Sequence, residues 1–451
     1  MIGIIGGGIT GLAAAYELTI RRVPFQLFEA SPRLGGIIRT EQLDGFTIEA
    51  GPDSMLAQKP AAIALCEALD LRNRLITTNQ PRTAFVLKDR RLHALPSPSV
   101  LGIPTTWKGL LHYDLLSPGA RARLAIEPLI PRRRTLDDES VAAFFRRRFG
   151  DTTVASIAEP LLGGIHAGDI DALSIRSLFP RFADAEAQHG SVLRAFRGHQ
   201  GSRGDGLFRS LLGGMEELVS TLECRFPTES IHKNAVVNAI APDGGGWRIS
   251  TRDSRTLVRA VVVAGPAHVA AALIQPLDSR AAELCNDVPY VSTASIALAW
   301  PRHAIAHPLD GSGFVVARAA NSPRITACTW VSSKWSNRAP AGMTLLRAFV
   351  GGSHDPAAVD LDDDALVELA SNALGPILGI RDRPVLSRVY RWRQAGAQHN
   401  VGQIARVNEI ERRLAAHRGI FVAGSGFRSV GIPDCIADGR AAATAACTII
   451  Q

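Results

Sequence analysis

The sequence predicts an α/β protein (α+β over its full length) in which a doubly wound dinucleotide-binding domain carries two inserted regions. Three observations carry this. The chain opens with an apolar strand running into a glycine turn, Ile2-Gly3-Ile4-Ile5-Gly6-Gly7-Gly8-Ile9-Thr10-Gly11. Strand-like apolar segments return far downstream at Ala260-Val261-Val262-Val263 and Ile420-Phe421-Val422. Between them lie an arginine-rich stretch of helical period, about 97–200, and a strand-rich stretch, 290–395.

The glycine turn has a mechanical reading at each position. Gly6 makes the tight turn, Gly8 lets the backbone approach a pyrophosphate, and Gly11 lets the following helix pack close to the strand. The helix N-terminus offers N–H groups and a positive dipole end to the phosphates. Ala13, Ala14, Ala15 and Leu18 continue as a helix, and Val23 to Phe28 read as the second strand. Glu29 ends that strand, 18 residues after Gly11, where an acid meets a ribose hydroxyl. An ordinary α/β turn would show the same glycines without this context. The glycine pair in Arg33-Leu34-Gly35-Gly36 and the segment Glu49-Ala50-Gly51-Pro52-Asp53-Ser54 resemble glutathione-reductase-type flavoproteins. In those proteins the second segment lies under the flavin ring, so the resemblance favours FAD over NAD.

Composition narrows the class. The chain has 451 residues, 46% hydrophobic and 20% charged, so two or more globular domains are expected. None of the six cysteines forms a C-x-x-C pair, which points to buried thiols rather than a zinc site or disulfide framework. The N-terminus enters a strand directly, so no signal peptide is expected. The best candidate span, 258–274, contains Arg259, Pro266 and His268 and reads as strand, turn and helix start. A cytoplasmic location follows as an expectation. Net charge is +8, and 45 of the 50 basic residues are arginine, which suits an anionic partner or a bias of genome composition. The basic residues are scattered and form no recognition motif, so nucleic acid is not expected.

Along the chain, 60–71 reads as a helix, and 85–87 with 92–95 as a hairpin around 88–91. In the helical region, Arg132-Arg133-Arg134 and Arg146-Arg147-Arg148 alternate with Leu110-Leu111, Leu115-Leu116 and Leu129-Ile130. Basic residues beside exposed apolar helices favour a membrane surface; a solvated helical subdomain has the same composition. A helix opens at 211–218, a strand follows at 235–240, and 247–250 with 260–264 read as a return to β-α-β character. One helix is expected at 365–374, a last strand at 419–424 and a closing helix near Asp434. The resulting organisation places a nucleotide domain at 1–80, 205–272 and 401–451. A substrate domain of mixed strands takes 81–96 and 273–400, and a helical, membrane-associating candidate takes 97–204.

Four blocks name a family by resemblance. They are Val430-Gly431-Ile432-Pro433-Asp434-Cys435-Ile436 with Gly439, 138–150, 159–169, and Leu101-Gly102-Ile103-Pro104-Thr105. Together they resemble the bacterial protoporphyrinogen/coproporphyrinogen oxidases of the flavin amine oxidase superfamily. The resemblance implies a porphyrinogen oxidised to a porphyrin in haem synthesis, with hydride passing to flavin N5 and dioxygen as final acceptor. It implies flavin contacts at Gly6, Gly7, Gly8, Ile9, Thr10, Gly11, Glu29, Ala30, Arg33, Gly35, Gly36, Ile37, Gly51, Pro52, Asp53, Ser54, Val237, Trp392, Gly424, Val430, Gly431 and Ile432. Arg82 would anchor a propionate, and Gly164 would let a flat macrocycle approach the backbone. No side-chain base is nominated, because the cofactor performs the redox chemistry. The helix beyond Pro433 would aim its N-terminus at the flavin pyrimidine edge.

The stretch 392–408 has no cysteine, so FAD is expected to be non-covalent. His166 and His399 stand where tyrosine is common, Ala397 where proline is common and Ser429 where glycine is frequent; both histidines read as structural. Two rival readings remain, another flavin oxidase or desaturase and a non-redox mutase or flavin-binding protein of the same fold. The main substrate stays open between protoporphyrinogen and coproporphyrinogen. A ferrochelatase receiving the product and a membrane surface are candidate partners, and the chain is expected as monomer or homodimer.

Overall fold

The computed structural model describes residues 1–135, 137–197, 206–428 and 430–450. Five parallel strands form the central sheet in the order Ile231–His232, Phe25–Phe28, Ile2–Ile5, Ala260–Val263, Ile420–Val422. Ile2 pairs with both Phe25 and Ala260, so the first strand lies at the sheet's centre. Every residue of Ile2–Ile5 and Ala260–Val263 is buried, the run of β-branched residues a doubly covered parallel strand needs. Helix Ile9–Ile20 covers one face and packs along the closing helix Ile432–Ile450. The contact is close because Gly439 brings the closing helix against the Thr10 backbone, where a Cβ would sit 2.1 Å from the Thr10 carbonyl oxygen.

The segment 235–264 differs from its β-α-β expectation. Strands Val237–Asp243, Gly246–Thr251 and Arg255–Val258 form an antiparallel meander, which then feeds Ala260–Val263 into the parallel sheet. The reason is local: Gly244 and Gly245 both take positive φ and close a hairpin before any helical turn can form. The meander covers the sheet face opposite helix Ile9–Ile20, with Trp247 and Ile249 packed against Val261 and Val263.

A second, seven-stranded sheet has the order Leu386–Ala397, Tyr290–Pro301, Met343–Gly351, Ala327–Trp330, Gly313–Val316, Ala84–Lys88, Arg91–Ala94. All its pairs are antiparallel except Gly313–Val316 with Ala84–Lys88. Helix Asp363–Leu378 packs on it, capped by the Asp362 carboxylate on Ala365 N–H.

The region between 97 and 197 is mostly helical, built on Phe144, Phe145, Phe149 and Phe182. Arg132, Arg133, Arg134 and Arg146 are exposed, whereas the next two arginines turn into the fold. Arg148 is fully buried and pairs with the equally buried Glu127 (Nε to Oε1, 2.7 Å), while Arg147 pairs with Glu139 and Glu186 at 2.6 Å each. Leu110, Leu115 and Leu116 are core, whereas Leu111 and Leu129 are exposed. Among the described residues no helix is long and apolar enough to cross a membrane. Ser429 and residues 198–205 lie outside the described residues.

Candidate functional site

The site begins at the carboxyl ends of the parallel strands. Gly6 has φ +107°, a conformation that L side chains rarely adopt, and a Cβ there would press on Ala264 and Gly265. A Cβ on Gly11 would lie 1.9 Å from the Gly6 carbonyl oxygen, so helix and strand could not close. At Gly8 the outcome reverses: a Cβ would meet nothing within 4 Å. Close protein packing therefore does not require glycine at 8. Gly8 faces open space ahead of a helix whose N-terminus has no side-chain cap. That combination fits an anionic group seated on backbone N–H groups.

The second glycine pair lies on the first turn. Gly35 donates to the Gly7 carbonyl at 2.8 Å, and a Cβ on Gly36 would sit 3.3 Å from the Gly8 Cα. Glu29 accepts from the Gly7 N–H at 2.7 Å and from the Ser31 N–H at 2.8 Å, which fixes its carboxylate beside the turn. Ala30 follows, exposed. Arg33 donates to the carbonyls of Leu34 and Ile38 at 3.0 Å and also to that of Gly36, so its guanidinium ties the 34–38 loop together. Val237 comes to the same end, since Ala235 N–H donates to the Glu29 carbonyl and Asn234 N–H to that of Ser31.

The 49–54 turn is held by side chains from the distant sheet. A Cβ on Gly51 would fall 1.9 Å from the Ile37 carbonyl oxygen, so this turn and the 35–38 loop touch backbone to backbone. Arg347 donates to the carbonyls of Glu49 and Gly51 at 2.6 and 2.7 Å. The Ala50 carbonyl accepts from Ser295 at 3.1 Å and from the Trp392 indole at 2.8 Å. Trp392 thus reaches the site through this bond to the turn. Pro52 and Ser54 are half-buried, and Ser54 donates to Asp53 at 2.7 Å. Asp53 is buried and accepts from Lys334 at 2.9 Å and Trp335 at 3.3 Å, with Arg347 at 3.7 Å. Burial alone would raise its pKa, but the Lys334 and Arg347 charges outweigh burial and hold the carboxyl well below the usual range. Glu49, four residues earlier, goes the other way. Burial pushes it up to about 7, although Met215 N–H and the Thr40 hydroxyl donate to it.

Residues from the far end complete the constellation. Gly424, at φ +111°, lies against Thr10, and its N–H donates to Asp438 at 2.7 Å. Helix Ile432–Ile450 starts directly after Val430 and Gly431, with Asp434 in its first turn paired to Lys59 at 2.5 Å. Cys435 is buried beside Thr10, and burial pushes its thiol up to about 12, which leaves it protonated and unreactive.

The two substrate candidates lie apart. Arg82 is half-buried, donates to the Thr78 carbonyl at 3.1 Å and precedes the Ala84–Lys88 strand. Gly164 is exposed; a Cβ there would meet nothing within 4 Å, and it lines a cavity of about 320 Å³ near Val316 and Arg318. Ala84 pairs with Gly313 and Leu87 with Val316, so the two residues serve opposite ends of these paired strands. His399 is fully buried and bridges Ser177 Oγ (2.9 Å) and the Ser425 carbonyl (2.8 Å). His166 packs edge-on against Phe179, and burial, then His399 and Lys59, lower it to about 4. Sequence reasoning missed Lys334, Arg347 and Lys59. The one available signal was that Lys334 and Lys59 are two of only five lysines.

Residues 9–447 match the family of flavin containing amine oxidoreductases. The chain belongs to that family. Within it, the chain is 37% identical to a coproporphyrinogen III oxidase of Bacillus subtilis, over 99% of this chain and 98% of the relative. A coproporphyrinogen III oxidase of Staphylococcus aureus is 31% identical, over 98% of both chains. A putative protoporphyrinogen oxidase from Exiguobacterium superposes with a TM-score of 0.88 at 33% identity, covering 98% of this chain and 97% of its own. These matches put the chain in the protoporphyrinogen/coproporphyrinogen oxidase group of the family. It is an oxidoreductase, and its cofactor is FAD. A putrescine oxidase and a UDP-galactopyranose mutase share the fold at 18% identity.

Proposed function

We propose that this chain oxidises a porphyrinogen to the porphyrin in tetrapyrrole synthesis, with coproporphyrinogen III as principal substrate and dioxygen as final acceptor. The observation that carries the reading is the end-to-end likeness, at 37% identity, to an enzyme named for that substrate. Bound FAD would supply the two-electron acceptor. The open space at Gly8 and the uncapped N-terminus of Ile9–Ile20 would seat its pyrophosphate, and Glu29 the adenosine ribose. Val237 supports the adenine end, and the 49–54 turn with Ile37 supports the ring end. The first turn of Ile432–Ile450 would offer its N–H groups to negative charge on a bound ring. FAD is held without a covalent bond, in keeping with the protonated Cys435 thiol.

Arg82 would hold a substrate propionate and Gly164 would leave room for the macrocycle. No side chain need act as base, since pyrrole N–H protons can leave through tautomer shifts. The exposed Trp107, Leu111, Ile126 and Leu129 on the helical region, with Arg194 and Arg197 beside Trp107, support peripheral contact with a membrane surface.

The test is purified, FAD-loaded protein given each porphyrinogen, with porphyrin fluorescence followed above the autoxidation background. The expected result is a clear gain with coproporphyrinogen III; no gain with either substrate would overturn the reading. Arg82→Ala should raise KM more than it lowers kcat, and an unchanged KM would remove Arg82 from propionate binding.

A further inference from the structure

The cavity beside Gly164 carries charges that the nucleotide site does not use. One wall is the π-helix Val154–Gly163, continued by Gly164 and Ala167; the other is the segment after strand Gly313–Val316, with His354 and Asp355 nearby. A π-helix is an uncommon element, concentrated at functional positions, and this one carries Glu159 into the cavity. Arg318 pairs with Glu159 through Nε at 2.8 Å and with no other carboxylate among the described residues. Glu159 is shared with His354 at 3.4 Å. Arg324 differs, because Nε and Nη2 both meet Asp355, at 2.9 and 3.0 Å, and its fork is occupied. Arg318 is therefore the guanidinium with terminal N–H groups open to a second carboxylate, and its side chain is 42% exposed.

We infer that Arg318 receives substrate carboxylates at the end of the site opposite Arg82, and so favours a tetracarboxylate porphyrinogen over a dicarboxylate one. The inference rests on the porphyrinogen reading above. Strand register supplies the spacing. Arg82 lies two residues before Ala84, whose partner is Gly313, and Arg318 lies two residues beyond Val316, whose partner is Leu87. Their backbones are thus offset by about 23 Å along the strands. Arg82 and Arg318 would then flank a ring whose acidic arms radiate from opposite edges. Gly164, with open space at its Cα, stands on the wall shared with Arg318. Burial raises the Glu159 carboxyl, which weakens its competition for the guanidinium.

The test compares wild type with Arg318→Gln and Arg318→Lys. Two quantities are read: kcat/KM for coproporphyrinogen III against protoporphyrinogen IX, and Kd for the product porphyrins by fluorescence quenching without turnover. Arg318→Gln should lower the coproporphyrinogen-to-protoporphyrinogen ratio by about tenfold and weaken coproporphyrin III binding by a similar factor, with Arg318→Lys between. Flavin content and melting temperature report folding. Equal loss for both substrates, or an unchanged ratio of product affinities, would overturn the inference. A wild type that oxidises neither porphyrinogen would instead sink the underlying reading.

Discussion

The 6–11 turn offers backbone N–H groups, and the sequence exposes them by leaving side chains out. In the 49–54 turn the groups are side chains lying 240 or more positions downstream: Ser295, Arg347 and Trp392 on paired strands and Lys334 on the short helix Val331–Lys334. The first region tolerates no added atom at Gly11, and the second tolerates no missing partner at Asp53. The two halves of the proposed cofactor site should therefore fail in different ways.

The largest effect is expected at Asp53. Asp53→Ala leaves Lys334 and Arg347 facing each other without a carboxylate, which should cost about 3–5 kcal/mol. Denaturant unfolding checks this, and a loss under about 1 kcal/mol would mean the cations find other partners. Gly11→Ala tests the opposite mode by forcing a Cβ to 1.9 Å from the Gly6 carbonyl. The expected outcome is about 3 kcal/mol of destabilisation with flavin lost on purification, read from the flavin-to-protein absorbance ratio. Retention of full flavin would show that the turn can relax.

Glu49 sharpens the comparison through pH. Its folded value, about 7, lies above its ordinary 4.5, so the folded chain keeps the proton over that window. The Glu49 contribution is fully present below pH 4.5 and is lost as pH rises through 7, on the order of 3 kcal/mol. Glu49→Gln should flatten this fall between pH 5 and 8 in urea midpoints; an unchanged slope would place its origin elsewhere. Asp53 contributes the reverse slope, present above the ordinary carboxylate range and lost only in strong acid. The smallest effect is Trp392→Phe, which removes one N–H donor from Ala50 and should cost about 1 kcal/mol with a modest rise in flavin Kd.

The same contrast explains what could be read from the sequence. The tight turn at Gly6 and the close helix packing at Gly11 were legible because short-range spacing alone builds them, and the place of Glu29 beside the turn because one strand separates the two. Trp392 was legible by resemblance as a position, but its bond to Ala50 depends on a 342-residue separation that no local pattern encodes. The inward turn of Arg147 and Arg148 was not legible, because Glu127 and Glu186, which pair with them inside the fold, lie 21 or more residues away. The 235–264 meander was missed because Gly244 and Gly245 decide between hairpin and crossover, and strand periodicity does not.

The central claim joins the two regions: one flavin, seated by the glycine turn and held by the 49–54 turn, accepts electrons from a porphyrinogen. Rapid mixing of FAD-loaded protein with coproporphyrinogen III without oxygen tests it most directly. Loss of the oxidised-flavin absorbance band on mixing, restored by air as porphyrin accumulates, is the expected result. A flavin that stays oxidised in the presence of excess porphyrinogen would contradict the account.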